Sequence, residues 1–96
     1  MTRATVLATL QAHRAELRGL GVRHLDLFGS VARDDDGPTS DVDVLVEFDH
    51  PVGLFALARL QHWLEGLLGR RVDVATSGAL RPAMRARVAA ELVRAA

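Results

Sequence analysis

Gly29-Ser30-Val31-Ala32-Arg33-Asp34-Asp35-Asp36-Gly37-Pro38-Thr39-Ser40-Asp41-Val42-Asp43 joins two apolar runs, Leu25-Asp26-Leu27-Phe28 before it and Val44-Leu45-Val46-Glu47-Phe48 after it. Both runs read as strands. In the second, a period of two sends Val42, Val44, Val46 and Phe48 to one face and Asp41, Asp43, Leu45 and Glu47 to the other. The valine face is expected to meet helices, and the carboxylate face to stay open. Asp41 and Asp43 then stand on one face and repel each other unless a cation lies between them. All-oxygen ligands suit a hard cation such as Mg²⁺. At the other end of the stretch, Gly29-Ser30 can open a short helical turn. Its backbone N–H groups and hydroxyl would make a phosphate cradle. Gly37-Pro38 makes a loop of the residues from Asp34 to Ser40. A phosphate cradle facing a carboxylate metal site reads as phosphoryl or nucleotidyl transfer.

Working outward, residues 2 to about 19 place Val6, Leu7, Leu10 and Leu17 at helical spacings, with Leu20 just beyond. One amphipathic helix is expected, N-capped by Thr2 or Thr5 and ended by Gly19 and Gly21. The first strand is expected at about 24 to 28. After Asp49-His50-Pro51, a leucine-rich helix runs from about Gly53 to Leu68, and Gly69 closes it. Arg70 to Thr76 alternates as a third strand. With Val72 and Val74 facing the core, Asp73 emerges on the face of Asp41 and Asp43. A last helix starts near Ser77 to Ala79 and takes Pro82 in its first turn. It spaces Leu80, Met84, Val88 and Leu92 by four, and Arg81, Arg85, Arg87 and Arg94 stripe it. The fold class is α/β, a small mixed sheet with helices packed on one face, and residues 1–96 are expected to form a single domain.

Composition narrows the function classes. Twelve basic residues, all arginine, balance twelve acids, so net charge gives no nucleic-acid signature, and few aromatics are present to stack bases. With no cysteine, disulfides and thiolate zinc sites are excluded, and nothing speaks against a reducing cytoplasm. No apolar run approaches the roughly 20 residues of a membrane span. The expectation is a cytoplasmic protein that binds neither membrane nor nucleic acid directly. Homo- or hetero-oligomers both stay open.

In-line attack on a nucleotide α-phosphate needs an activated oxygen and neutralised phosphate charge. Two Mg²⁺ ions about 3.5–4 Å apart can supply both. In this reading Asp41 and Asp43 bridge the metals, and Asp73 completes the ion nearer the nucleophile. Gly29 and Ser30 hold the β- or γ-phosphate. Arg33 can pair with a phosphate or with the neighbouring acids.

Gly29-Ser30, ten residues, then Asp41-Val42-Asp43 resembles the nucleotidyltransferase motif of the polymerase-β-like superfamily. The string from Gly29 to Phe48 is similar to that of the minimal nucleotidyltransferase (MNT) domain. The likeness continues through Leu68-Gly69-Arg70-Arg71-Val72-Asp73-Val74-Ala75-Thr76 and covers nearly the whole chain. Asp34 stands where the family commonly has glycine. The resemblance implies Mg²⁺-dependent transfer of AMP from ATP, with Asp41, Asp43 and Asp73 as metal ligands. It also implies an antitoxin role beside an all-helical HEPN ribonuclease toxin, silenced by adenylylation of a tyrosine. The chain has no tyrosine and cannot modify itself on one. Two other readings stay open: a non-catalytic antitoxin that covers its partner, and a nucleotidyltransferase for a small-molecule acceptor.

The bland readings run alongside. The three aspartates can be solvent-facing strand acids, Ser30 a turn cap, and Asp34 to Asp36 a solvated loop. His13, His24, His50 and His62 lack ligand-like spacing. Trp63 reads as core or interface. Leu45 and Ala75 are expected to rim the open face as an apolar docking border.

Overall fold

The computed structural model describes residues 2–34 and 41–96. Along the chain it has α1 (Arg3–Ala12), α2 (Arg14–Gly19), β1 (Val22–Phe28), α3 (Gly29–Arg33), β2 (Val42–Phe48), α4 (Leu54–Leu68), β3 (Val72–Thr76), a 3₁₀ turn (Ser77–Ala79), α5 (Pro82–Glu91) and β4 (Val93–Arg94). The four strands form one mixed sheet in the order β3-β2-β1-β4. β1 runs antiparallel to β2 and β4, while β2 and β3 are parallel. A parallel pair needs a crossover, and α4 supplies it. Of the expected loop, only Asp34 lies within the described residues.

The core lies on the valine face of β2. Val42, Val44 and Val46 pack there with Leu25 and Leu27 of β1, Val72 of β3, Val6 and Leu10 of α1, Leu17 of α2, and Leu60, Leu64 and Leu68 of α4. Full burial of each such aliphatic side chain is worth about 1.5–3 kcal/mol. That reward fixes the register, because a one-residue slip of β2 would bury Asp43 and expose the valines.

The helix expected over 2–19 is two helices. His13 interrupts it with φ −109°, ψ 22°, and its backbone N–H bonds back to Leu10 O at 3.1 Å. Its ring nitrogen Nδ1 bonds to Thr9 O at 2.8 Å, and the ring stands edge-on to Trp63, centroids 6.1 Å apart. Thr2 is the N-cap, its hydroxyl accepting the Thr5 N–H at 3.2 Å. The last helix also differs from expectation. The 3₁₀ turn is separate, Arg81 is the N-cap, and the helix ends at Glu91. Arg94 therefore belongs to β4 rather than to a helical arginine stripe, and Leu92 lies beyond the helix. Among the described residues, no helix is long and apolar enough to cross a membrane.

Candidate active site

β1 ends at Phe28, and Gly29 turns the chain into α3 with φ +74°. An L side chain rarely takes that conformation. A Cβ on Gly29 would also collide with Asp43 Oδ2, so the carboxylate packs directly against the glycine. Glycine is required on both counts. Ser30 lies inside α3, whose N-cap is Phe28 without a side-chain cap bond, so the turn-cap reading of Ser30 fails. α3 closes at Asp34 with φ 61° and ψ 31°, the left-handed conformation that glycine adopts most easily and aspartate tolerates. Asp34 has a further use. Its Oδ1 accepts the Arg3 N–H at 3.2 Å, serving one of the free amides at the start of α1.

The sheet register carries the carboxylates. Phe28 is opposite Asp43 in the β1–β2 ladder, and Asp43 is in register with Asp73 across the parallel β2–β3 pair. Burial first, then the charge of Asp73 and a hydrogen bond to it that only the protonated acid can donate, push the Asp43 carboxyl up to about 6. Asp41 and Glu91 add smaller repulsions. Asp73 is exposed on the open face, as its alternation predicted. Asp41 is half-buried just before β2, and its Oδ1 lies 4.0 Å from Arg71 Nε. Among the described residues, no group of three or more histidine, cysteine, aspartate or glutamate side chains is drawn together tightly enough to hold a metal ion. Asp43 and Asp73 are brought together, and Asp41 stays at their edge.

The donor set fits a hard divalent cation. Two carboxylates face each other at a cost in free energy that a cation between them would lower, and among the described residues no histidine or cysteine joins them in a metal-binding group.

Glu91 is a member of the site that sequence reading missed. Its Oε1 accepts the Gly29 N–H at 3.1 Å, and its Oε2 accepts Arg33 Nη1 at 2.8 Å. Arg33 thus meets an acid from α5, while its sequence neighbours Asp35 and Asp36 lie outside the described residues. The next row of the open face holds Asp26, 8% exposed, opposite Leu45. Arg94 Nε donates to Asp26 Oδ1 at 2.6 Å, and Arg94 Nη1 meets His24 Nδ1 at 2.9 Å. Leu45 is only 9% exposed, so it is not the exposed docking rim expected of it.

The nucleotidyltransferase domain profile matches residues 10–95, which is most of the chain. The chain belongs to the nucleotidyltransferase domain family. A protein adenylyltransferase, MntA, of Thermococcus cleftensis is 37% identical to this nucleotidyltransferase over 94 residues, covering 97% of this chain and 95% of its own. A solved minimal nucleotidyltransferase superposes with a TM-score of 0.83 at 38% identity, covering 97% of this chain and 95% of that one. Two more distant structures share the fold. A toxin–antitoxin complex solved with AMP-PNP has a TM-score of 0.76 at 19% identity, over 91% of this chain and 72% of that one. A Shewanella oneidensis complex of a tri-AMPylated HEPN toxin with its MNT antitoxin has a TM-score of 0.62 at 17% identity, over 91% and 71%.

Proposed function

We propose that this nucleotidyltransferase moves AMP from ATP to a hydroxyl, a tyrosine in the first instance, of a partner HEPN-type toxin, and so acts as its antitoxin. One observation carries the reading: the Asp43 carboxylate lies against Gly29 and in register with Asp73, beside donors that already bind an anion. The MntA relative and the AMPylated HEPN complex support the choice of nucleotide, acceptor and partner.

Asp41, Asp43 and Asp73 would hold Mg²⁺, with Asp41 turning from Arg71 to take part. The bound ions supply charge neutralisation at the phosphates and lower the pKa of the attacking hydroxyl. The protein does the rest by position. Gly29 lets the Asp43 carboxylate lie against the turn, and its N–H, held by Glu91 Oε1, is a donor that a phosphate oxygen could take over. Ser30 adds a hydroxyl in the same turn, and Arg33 adds a guanidinium suited to bidentate phosphate contact. Asp73, the most solvent-accessible of the three acids, is placed to accept the proton of the incoming hydroxyl. A site built from preorganised charges needs little chain. A tightly bound toxin would present the acceptor hydroxyl to this site.

The test uses α-labelled ATP, Mg²⁺ and the toxin encoded beside this chain. Label should pass to a toxin tyrosine, and Asp41→Asn with Asp43→Asn should reduce transfer by at least about 10³-fold. Full neutralisation of the toxin by that double variant, with no label transferred by wild type, would establish the covering antitoxin instead.

A further inference from the structure

Glu91 closes α5, 62 residues from Gly29 along the chain, yet its carboxylate lies among the donors that the proposed function reserves for a nucleotide phosphate. Both of its oxygens are used, one on the Gly29 N–H at 3.1 Å and one on Arg33 Nη1 at 2.8 Å. A backbone amide and a guanidinium held side by side form an anion site, and a carboxylate and a phosphate oxygen pair compete for it on the same terms. A cavity of about 190 Å³ opens beside the contact, lined by Gly29, Arg33, Arg87 and Glu91 among others. The Arg33 hydrogen bond above all, then the Gly29 N–H and the charges of Arg33 and Arg87, outweigh desolvation and hold the Glu91 carboxyl below the usual carboxylate range.

We propose that the Glu91 carboxylate is a built-in occupant of the phosphate subsite, displaced when a nucleotide binds, and that it thereby sets nucleotide affinity. The inference rests on the nucleotidyltransferase reading of the Gly29–Arg33 loop. Two consequences follow from the geometry. Without nucleotide, Glu91 keeps the Gly29 N–H and Arg33 oriented and screens them from each other. With nucleotide, the Glu91 side chain leaves, the end of α5 loses its tie to α3, and Arg87 becomes a second cation facing the phosphates. Arg87 lies one turn before Glu91 on α5 and borders the same cavity.

Calorimetric titration of the full chain with ATP, inorganic tripolyphosphate and adenosine separates the possibilities. Glu91→Gln keeps an acceptor for the Gly29 N–H but removes the charge. It should bind ATP and tripolyphosphate about tenfold or more tightly than wild type, as losing one charged competitor implies, with adenosine unchanged. Arg87→Ala in the Glu91→Gln background should lose part of that gain. If wild type binds ATP and Glu91→Gln binds it equally or more weakly, Glu91 is only a structural brace and the inference fails alone. If neither protein binds ATP or tripolyphosphate, the nucleotide reading fails and takes the inference with it. A readout on wild type guards against a variant that misfolds. Tripolyphosphate should shift the Gly29 amide resonance and speed hydrogen exchange in the last turn of α5. An unmoved Gly29 amide at saturating ligand overturns the inference.

Discussion

Asp43 has Asp73 in register on one side and the Gly29 backbone packed against it on the other, and its burial there together with the Asp73 charge makes its negative charge harder to hold. Its carboxyl is raised from 3.8 to about 6, burial being the largest cause and Asp73 the next. A folded-state pKa above the unfolded value means the folded chain holds more protons between those limits. The contribution of Asp43 to the stability of the metal-free protein should therefore be full below about pH 4, fall as pH rises through about 4 to 6, and level off above, while the lowered Glu91 carboxyl acts in the opposite direction at acid pH. Asp43→Asn removes the ionisation. At pH 7 without Mg²⁺ it should be more stable than wild type by about 1 kcal/mol, after allowance for solvent screening, while losing transfer activity. Denaturant melts across that pH range check this, and a variant less stable than wild type at pH 7 contradicts it. Asp43 and Asp73 were legible because alternation assigns a face and glycine punctuation marks where a strand begins. Glu91 was not legible, since nothing along the chain indicates that the end of the last helix folds back onto Gly29.

At the level of elements, the strands and α4 follow from local pattern, and the two departures have local causes. Leucine spacing runs on through residues 6 to 17, so it carries no sign that His13 would bond to Thr9 O and break the helix. β4 is two residues long, too short for alternation to register, and its Val93 and Arg94 continue the helical arginine and apolar spacing. Only the tertiary pairing of Asp26 with Arg94 and Leu27 with Val93 makes it a strand. That pairing suggests a test. Asp26 is a buried carboxylate whose partner Arg94 comes from the far end of the chain. Arg94→Ala strands that charge and should cost about 2 kcal/mol, less than a fully buried pair because Arg94 itself is exposed. Asp26→Asn added to it should recover most of the loss. A thermal-melt double-mutant cycle reads both, and simple additivity of the two substitutions would show that the pair is not coupled.

Over the whole molecule, apolar surface is distributed differently from what alternation alone suggests. Leu45 points to the carboxylate face yet is buried beside Asp26, while Leu54 and Phe55, at the start of α4, are 82% and 89% exposed. Leu45→Ala should then cost about 2–3 kcal/mol, and Phe55→Ala should change stability by less than about 0.5 kcal/mol. Urea midpoints for the two variants test the ordering, and equal costs would refute it. The sheet order also explains why so small a chain can hold the site. With β2 central between β1 and β3, the Gly29 turn, Asp43 and Asp73 are brought together by three adjacent strand ends, without help from a long loop. The proposed function depends above all on Asp43 and Asp73 being a carboxylate pair whose mutual repulsion a divalent cation would relieve. Carboxyl-carbon NMR titration of Asp43 measures that directly. The expected midpoint is near 6 without metal, falling by more than one unit in saturating Mg²⁺ with a non-hydrolysable ATP analogue. A midpoint near the ordinary value of 3.8, unmoved by Mg²⁺ and nucleotide, would contradict it.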